Sequence, residues 1–139
     1  MDYRVFGDKI ALRLDPGEEL LDRISEVCRR QGVRFGSITG IGAANHVTIG
    51  FYNLEKQEYS EKDLDFPMEI TSILGDVSRK DGEVYLHVHI NVSDEEGRTF
   101  GGHLKKCMIS VTGEIVITCI DREVGRKAER ATGINLFSF

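Results

Sequence analysis

The sequence contains no hydrophobic run that approaches the ~20 residues needed to cross a bilayer, and residues 1–8 are charged. We therefore expect neither a transmembrane helix nor a secretory signal peptide. Cysteine is scarce as well: Cys28, Cys107 and Cys119 are an odd number without a close pair. This pattern is typical of a reducing compartment and argues against a disulfide framework or a cysteine-rich zinc site. These absences predict a cytoplasmic protein.

An excess of positive charge is also missing. The chain has 18 lysines and arginines against 23 aspartates and glutamates, a formal net charge of −5. Proteins that bind duplex DNA draw much of their affinity from basic surfaces that neutralise phosphates. Basic residues do cluster at 29–34, 105–106 and 122–130, but acidic residues lie beside or within each cluster. The clusters are typical of a solvated surface, and composition disfavours nucleic-acid binding.

The chain does have the composition of a globular protein, with 139 residues that are 40% hydrophobic and 29% charged. Its length predicts one domain, residues 1–139. Alternating apolar residues, or runs rich in glycine and β-branched residues, predict strands at 8–14, 33–53, 68–77, 84–92, 99–104 and 107–120. The charged segment 55–65 is predicted to be an exposed loop, and the apolar tail 134–139 is expected to dock.

One helix is predicted, over about residues 16–31. Asp15 can cap it, Pro16 suits the first helical position, and Glu18 has the spacing of a capping box. Apolar residues then recur at helical spacing until Gly32. Cys28 belongs to this apolar face and is interpreted as a core residue rather than a nucleophile. The predicted fold class is α+β, a mostly antiparallel sheet covered by this helix.

Three of the four histidines, His87, His89 and His103, fall within seventeen residues. Side chains alternate along a strand, so His87 and His89 share a face with their Cα atoms about 7 Å apart. The short turn at 93–97 would let the next segment pair back and bring His103 alongside. Three neutral imidazoles suit zinc or another divalent transition metal and leave a fourth position for water or a substrate. The alternative is that all three are ordinary half-exposed strand and turn residues.

The sequence offers only two candidates for a catalytic group, Glu69 and Glu114, the acidic residues that fall inside apolar strands. A polar strand face or a subunit contact would explain Glu114 without chemistry. No Ser-His-Asp order, Cys-His pairing or phosphate-binding loop is present, and His46 has no partner close in sequence. The catalytic residues stay unknown at this point, and so does whether the protein is an enzyme.

Five segments carry a family resemblance: 36–42, 69–75, 86–90, 97–104 and 114–117. Together they resemble the plant and prokaryote conserved (PPC) domain family, in its stand-alone prokaryotic or archaeal form. The resemblance implies a compact α+β fold and a homotrimer. Members are often labelled as DNA-binding proteins, but plant relatives hold DNA with a separate Arg-Gly-Arg-Pro hook. This chain, whose only prolines are Pro16 and Pro67, has no such hook.

The family fold is also similar to that of α-acetolactate decarboxylase, in which alternate strand histidines and a third histidine downstream hold zinc. By this analogy His87, His89 and His103 would be the zinc ligands. Three functions remain open: a metal-binding protein that takes a small ligand, a DNA-binding or transcription-associated protein, and a zinc-dependent lyase or hydrolase. The substrate of the last would be a small carboxylated metabolite.

Overall fold

Nine strands and one helix make up the fold, and the structure, a computed structural model, describes residues 1–139. The helix, α1, spans Leu20–Arg30. The strands in chain order are β1 (Asp2–Phe6), β2 (Lys9–Leu14), β3 (Gly36–Asn53), β4 (Glu58–Leu64), β5 (Met68–Lys80), β6 (Glu83–Ser93), β7 (Thr99–Cys119), β8 (Gly125–Ala128) and β9 (Asn135–Ser138).

All nine strands belong to one sheet, with the order β1-β2-β7-β3-β5-β8-β9. In addition, β4 pairs with β3, and β6 pairs with both β5 and β7. The antiparallel pairings β3–β5, β5–β6, β6–β7 and β7–β3 form a closed ring. Only β5 and β8 pair in parallel. The predicted α+β class is confirmed, with a sheet that is mixed rather than purely antiparallel.

The predicted loop at 55–65 is wrong, because most of it is strand β4. This strand pairs with the second half of β3, from Val47↔Leu64 to Asn53↔Glu58. Six of its seven residues are exposed, so water lies on both faces and no alternation of apolar and polar residues arises. Hydrophobic periodicity cannot reveal a strand of this kind. The segments predicted at 99–104 and 107–120 are one strand, β7.

The helix begins four residues later than predicted. Residues 15–18 form a turn in which the Glu18 N–H donates to the Asp15 carbonyl (3.3 Å), and Gly17 has a φ of +84°. Left-handed glycine is the third residue of a type II turn and does not fit inside a helix. The Gly17 N–H also donates to the Ile109 carbonyl of β7 (2.8 Å), so pairing with the sheet holds this turn out of the helix.

The residue that caps α1 is Glu19, not Asp15. One oxygen of its carboxylate accepts from the Asp22 N–H (2.7 Å), and the other accepts from the Cys107 N–H of β7 (2.9 Å). A single side chain therefore satisfies one free donor of the helix end and ties that end to the sheet. The contact with β7 is a tertiary feature that the local sequence does not encode.

The helix covers one face of the sheet through Leu20, Ile24, Val27 and Cys28, which are completely buried. They belong to a core of 24 buried residues that also includes the alternating residues of β2. Burial raises the pKa of the Cys28 thiol to about 12, which agrees with its interpretation as a core residue. The chain's only helix is neither long nor apolar enough to cross a membrane.

The opposite face of the sheet, which we call the outer face, carries no helix. A row of register partners crosses it: His103 (β7), His89 (β6), Leu74 (β5), Thr39 (β3), Val116 (β7) and Ala11 (β2). The last four of these line an open groove of about 750 Å³. The histidines therefore lie at one end of a largely apolar, exposed surface.

Candidate metal centre

Strand β6 holds two of the three histidines. Val88, Ile90 and Val92 are buried, so His87 and His89 point to the other side of the strand. The turn that follows is organised by Asp94, whose carboxylate accepts from two backbone N–H groups of the turn. This turn returns the chain as β7 with His103 directly opposite His89.

The three imidazoles form a nearly equilateral triangle. Ring centroids are 5.3 Å apart for His87–His89 and 5.4 Å apart for the other two pairs. One nitrogen of each ring lies within 4.8 Å of the others. Tetrahedral zinc with bonds of 2.0–2.1 Å needs its ligand nitrogens about 3.3 Å apart, so the rings would have to move closer together on binding. The structure thus brings together the three histidines that the sequence singled out.

The state of His103 fits a metal. Its Nδ1 is buried and has no hydrogen-bond partner, which is costly for an imidazole unless another group satisfies it. Burial, together with the charges of His87, Lys105 and His89, lowers the pKa of His103 to about 4. The ring is therefore neutral at physiological pH, the form in which imidazole binds a metal. A divalent transition metal suits this donor set.

Close approach of the strands depends on glycine next to the site. Gly75 of β5 lies opposite Val88, and a Cβ at this position would overlap the His87 carbonyl and lie 2.8 Å from the Val88 Cα. Backbone atoms cannot yield as a flexible side chain can. Any larger residue at position 75 would push β5 away from β6 where His87 is held.

A family model for the Plants and Prokaryotes Conserved (PCC) domain matches residues 1–121. The chain belongs to the PCC domain family. This confirms the family that the sequence resembles. A curated relative, the bifunctional protein GlmU of Synechococcus sp. (strain JA-3-3Ab), is 32% identical to the chain over 127 residues. The match covers 88% of this chain but only 19% of GlmU, so the chain spans about a fifth of that relative's length.

Solved structures of two similar proteins share this fold over almost the whole chain. A metal-containing protein from Archaeoglobus fulgidus is 33% identical, with a TM-score of 0.88 over 99% of this chain and 97% of that one. A protein from Bacteroides thetaiotaomicron, provisionally named as DNA-binding, is 29% identical, with a TM-score of 0.97 over 99% and 96% of the two chains. Acetolactate decarboxylase from Bacillus subtilis subspecies spizizenii is similar in fold alone, at 15% identity and a TM-score of 0.58 over 84% and 54%.

Within this PCC domain, the two glutamates predicted as catalytic candidates lie away from the three histidines. Glu69 and Glu114 line a separate cavity of about 380 Å³ on the outer face, which none of the three histidines lines. Glu69 is the register partner of Ser93, four residues along β6 from His89, a distance of about 13 Å. The structure therefore does not bring these carboxylates to the histidine cluster.

His46 has partners that its sequence position does not reveal. Its Nδ1 lies 2.5 Å from the Asp65 carboxylate, and its Nε2 lies 3.4 Å from the Thr48 hydroxyl. The Thr48 hydroxyl in turn donates to Asp63 (2.7 Å). Asp63 belongs to β4 and Asp65 directly follows it, so the pairing of β3 with β4 assembles this group. It is separate from the histidine triangle.

Several groups beside the triangle are absent from the sequence-based set. The Tyr59 ring lies 5.2 Å from the His103 ring, and the Lys105 ammonium lies 4.0 Å above Tyr59. On the other side, the Asp76 carboxylate lies 3.9 Å from His87 Nδ1 and is bound by Arg126. Burial lowers the pKa of His87 most; Arg126 lowers it further and Asp76 raises it.

The register that brings Asp76 opposite His87 depends on the exact turn between β5 and β6. The turn lies at residues 81–82, which pairs Lys80 with Glu83 and so Asp76 with His87. A turn one residue earlier would place residue 76 opposite residue 85. Tyr59 lies in the segment predicted as a loop, so its strand neighbours were not foreseeable. Arg126 reaches Asp76 from 50 residues away in sequence, and no local pattern indicates such a contact.

Proposed function

We propose that this PCC domain binds a divalent transition metal, with zinc as the first candidate, through His87, His89 and His103. The observation that carries the proposal is the convergence of one nitrogen from each ring within 4.8 Å. Similarity to the metal-containing protein of Archaeoglobus fulgidus supports it. Three protein ligands leave one position open, as in sites that exchange a water or a substrate.

The site is open enough for a small ligand to reach it. The His87 side chain is 39% exposed, and His89 is exposed as well. Bound metal would supply a positive charge that polarises an oxygen ligand at the open position. The neutral His103 ring would donate its electron pair, while Lys105 and Tyr59 form the wall next to it. This arrangement favours exchange of a small oxygen-bearing ligand over a sealed structural site.

Metal analysis of untagged protein tests the proposal. The native chain should contain about one metal ion per chain after purification and should recover it after treatment with a chelator. A His87→Ala/His89→Ala variant should lose this metal. His46→Ala is the matched control, because His46 lies outside the triangle and pairs with Asp65. Equal metal in the native chain and the double variant would end the proposal.

We propose in addition that residues 1–139 form one domain that assembles as a homotrimer. The outer face supports assembly, because Phe6, Ile41, Leu74 and Val116 are 63%, 56%, 59% and 40% exposed around the 750 Å³ groove. Contiguous apolar surfaces of this kind mark interaction sites. Leu74 is the register partner of His89, so a neighbouring copy on this face would lie beside the proposed metal site.

DNA binding is the second candidate, favoured by similarity to the Bacteroides thetaiotaomicron protein. The net charge of −5 works against it, since phosphate binding needs a basic surface. Retention on immobilised duplex DNA at low salt, lost steeply as salt is raised, would support this candidate. Passage of the native chain through the duplex column at low salt would reject it.

An enzymatic role, as a zinc-dependent lyase or hydrolase, needs a carboxylate near the open position and a cation for a carboxylated substrate. Asp76, which lies 3.9 Å from His87, and Lys105, whose charge acts on His103, are candidates for these groups. A structure of the metal-bound protein distinguishes the cases: a fourth protein ligand would make the site structural. An exchangeable water at that position would keep an enzymatic role open to assay.

A further inference from the structure

Arg126, in β8, is a buried cation whose side chain is only 4% exposed. Its guanidinium donates from Nη2 to Asp76 Oδ1 (2.6 Å), from Nε to Ser78 Oγ (2.9 Å) and from Nη1 to the Asn135 carbonyl (3.1 Å). A charge this far from water is tolerated only when it is paired and hydrogen-bonded. Arg126 is therefore held rigidly, with its charge directed at Asp76.

Two aromatic rings complete the surroundings of the guanidinium. Its ζ carbon lies 4.1 Å from the centroid of the Phe137 ring and 5.1 Å from that of Tyr85. Phe137 itself packs edge-on against Phe35 (5.8 Å). Both Arg126 and Phe137 lie beyond residue 121, where the family match ends. The hairpin β8–β9 thus carries to this place a group that the matched segment does not contain.

Asp76 connects this hairpin to the histidine cluster, because it is the register partner of His87 across β5 and β6. Arg126 occupies Oδ1, whereas Oδ2 accepts no hydrogen bond and lies 3.9 Å from His87 Nδ1. This separation is too long for a hydrogen bond. A reorientation of the His87 ring on metal binding would have to close this gap for the two groups to form a hydrogen bond.

We propose that Asp76, fixed by Arg126, is a positioning residue for His87, an inference that rests on the proposed metal site. Asp76 accepts a hydrogen bond from His87 Nδ1–H when metal is bound, which leaves Nε2 as the ligand atom. Ligating histidines commonly donate their second nitrogen to a carboxylate, which orients the ring and strengthens it as a ligand. Arg126 assists the site through Asp76, by holding its carboxylate in place.

This division of roles has a consequence for charge. Taken alone, the Arg126 cation would repel a divalent metal beside His87, and the Asp76 carboxylate offsets that repulsion. Loss of Arg126 from the native chain removes this repulsion but also frees Asp76 to move, and we expect the second effect to be larger, so that metal binding weakens. Loss of Arg126 from a chain that already lacks the Asp76 carboxylate should not weaken binding further.

A double-mutant cycle on the full chain tests the proposal. Zinc affinity is measured by competition with a chromophoric chelator for native protein, Asp76→Asn, Arg126→Gln and the double variant. We expect Asp76→Asn to weaken binding about 10–100-fold, and Arg126→Gln to weaken it by a smaller factor. The double variant should bind zinc no more weakly than Asp76→Asn. Arg126→Lys, which keeps the cation, should recover part of the loss.

Lys127→Ala is the matched control, because Lys127 is an exposed cation of the same strand and makes no ion pair. The cobalt-substituted protein gives a second readout, since the visible spectrum of cobalt reports the orientation of its ligands. The spectrum should change in Asp76→Asn and stay native in Lys127→Ala. Removing both members of a buried ion pair is tolerated better than removing one, so the double variant remains informative if a single variant fails to fold.

Three results would overturn the inference. Native affinity in Asp76→Asn would show that Asp76 does not assist His87. An equal loss from Arg126→Gln with and without the Asp76 carboxylate would assign Arg126 a general role in folding. Absence of zinc binding by the native chain would instead remove the proposed metal site itself, and the positioning role with it.

Discussion

His89 and His103 face each other directly across β6 and β7, with their ring centroids 5.4 Å apart and their planes at 89°. They are 14 residues apart in sequence, and one tight turn joins the two strands. Because side chains alternate along a strand, His87, which lies two residues before His89 in β6, is on the same face. Strand pairing alone is enough to assemble the triangle.

Gly75→Ala should disturb this assembly without replacing any histidine side chain. The added Cβ would overlap the His87 carbonyl and lie 2.8 Å from the Val88 Cα. We expect a loss of about 1–3 kcal/mol in the free energy of unfolding, measured with urea, and weaker zinc binding. Gly125→Ala is the control, since its nearest contact would be an ordinary 3.5 Å. Equal stability of the two variants would contradict the close approach of β5 and β6.

The outer face should govern assembly. In sedimentation experiments the native chain should have three times its 15.6 kDa mass, and Ile41→Glu should shift it toward the monomer. A carboxylate in an apolar interface carries a desolvation cost that association must overcome. Leu54→Glu is the control, because Leu54 is 64% exposed but does not line the groove. A native chain that sediments as a monomer at micromolar concentration would refute the trimer.

The Glu19 carboxyl should make a measurable contribution to the pH dependence of the free energy of unfolding. Burial raises the pKa of this group above its ordinary value of 4.5, while hydrogen bonds from Cys107 and Asp22 oppose the rise. The folded state therefore holds the proton more tightly than the unfolded state. The stability that this group contributes is full below pH 4.5 and is lost as pH rises through the folded pKa.

Urea unfolding of native protein and Glu19→Gln across this pH range measures the effect. The variant has no proton to release at position 19, so the difference in unfolding free energy between the two proteins should change with pH. As pH increases above 4.5, the free energy of unfolding of the native protein should fall relative to that of the variant. A difference that is constant with pH would mean that the pKa of Glu19 is the same in both states.

Thiol reactivity should follow burial. Burial raises the pKa of Cys28 and of Cys107 to about 12, and that of Cys119, which is only partly buried, to a lesser extent. The thiolate is the reactive form, so at pH 8 the folded chain should expose at most one reactive thiol to a chromogenic disulfide. Three should react in denaturant. Rapid reaction of two or more thiols in the folded chain would contradict the buried positions of Cys28 and Cys107.

Features that depend on short-range pattern were predictable from the sequence. Alternation in β6 and a turn of a few residues were enough to propose that His87, His89 and His103 share one place. The apolar face of α1, with Cys28 in the core, also follows from helical spacing, since burial selects every third or fourth residue. The family was evident from the same segments.

Features that depend on contacts between distant segments were not predictable from the sequence. The sequence Asp15-Pro16-Gly17 suits both a helix start and a turn, and only pairing of residue 17 with Ile109 selects the turn. Strand β4 is solvated on both faces, so its composition is that of a loop until β3 provides a hydrogen-bonding partner.

The residues around the histidine triangle show the same contrast between local pattern and long-range contacts. Local alternation determines which way a side chain points from its strand, and this needs only the neighbouring residues. The position of Arg126 against Asp76 depends instead on how the last hairpin packs on β5 and on the ring of Phe137. Packing of that kind is decided by the whole folded chain, because each contact requires the others to be formed.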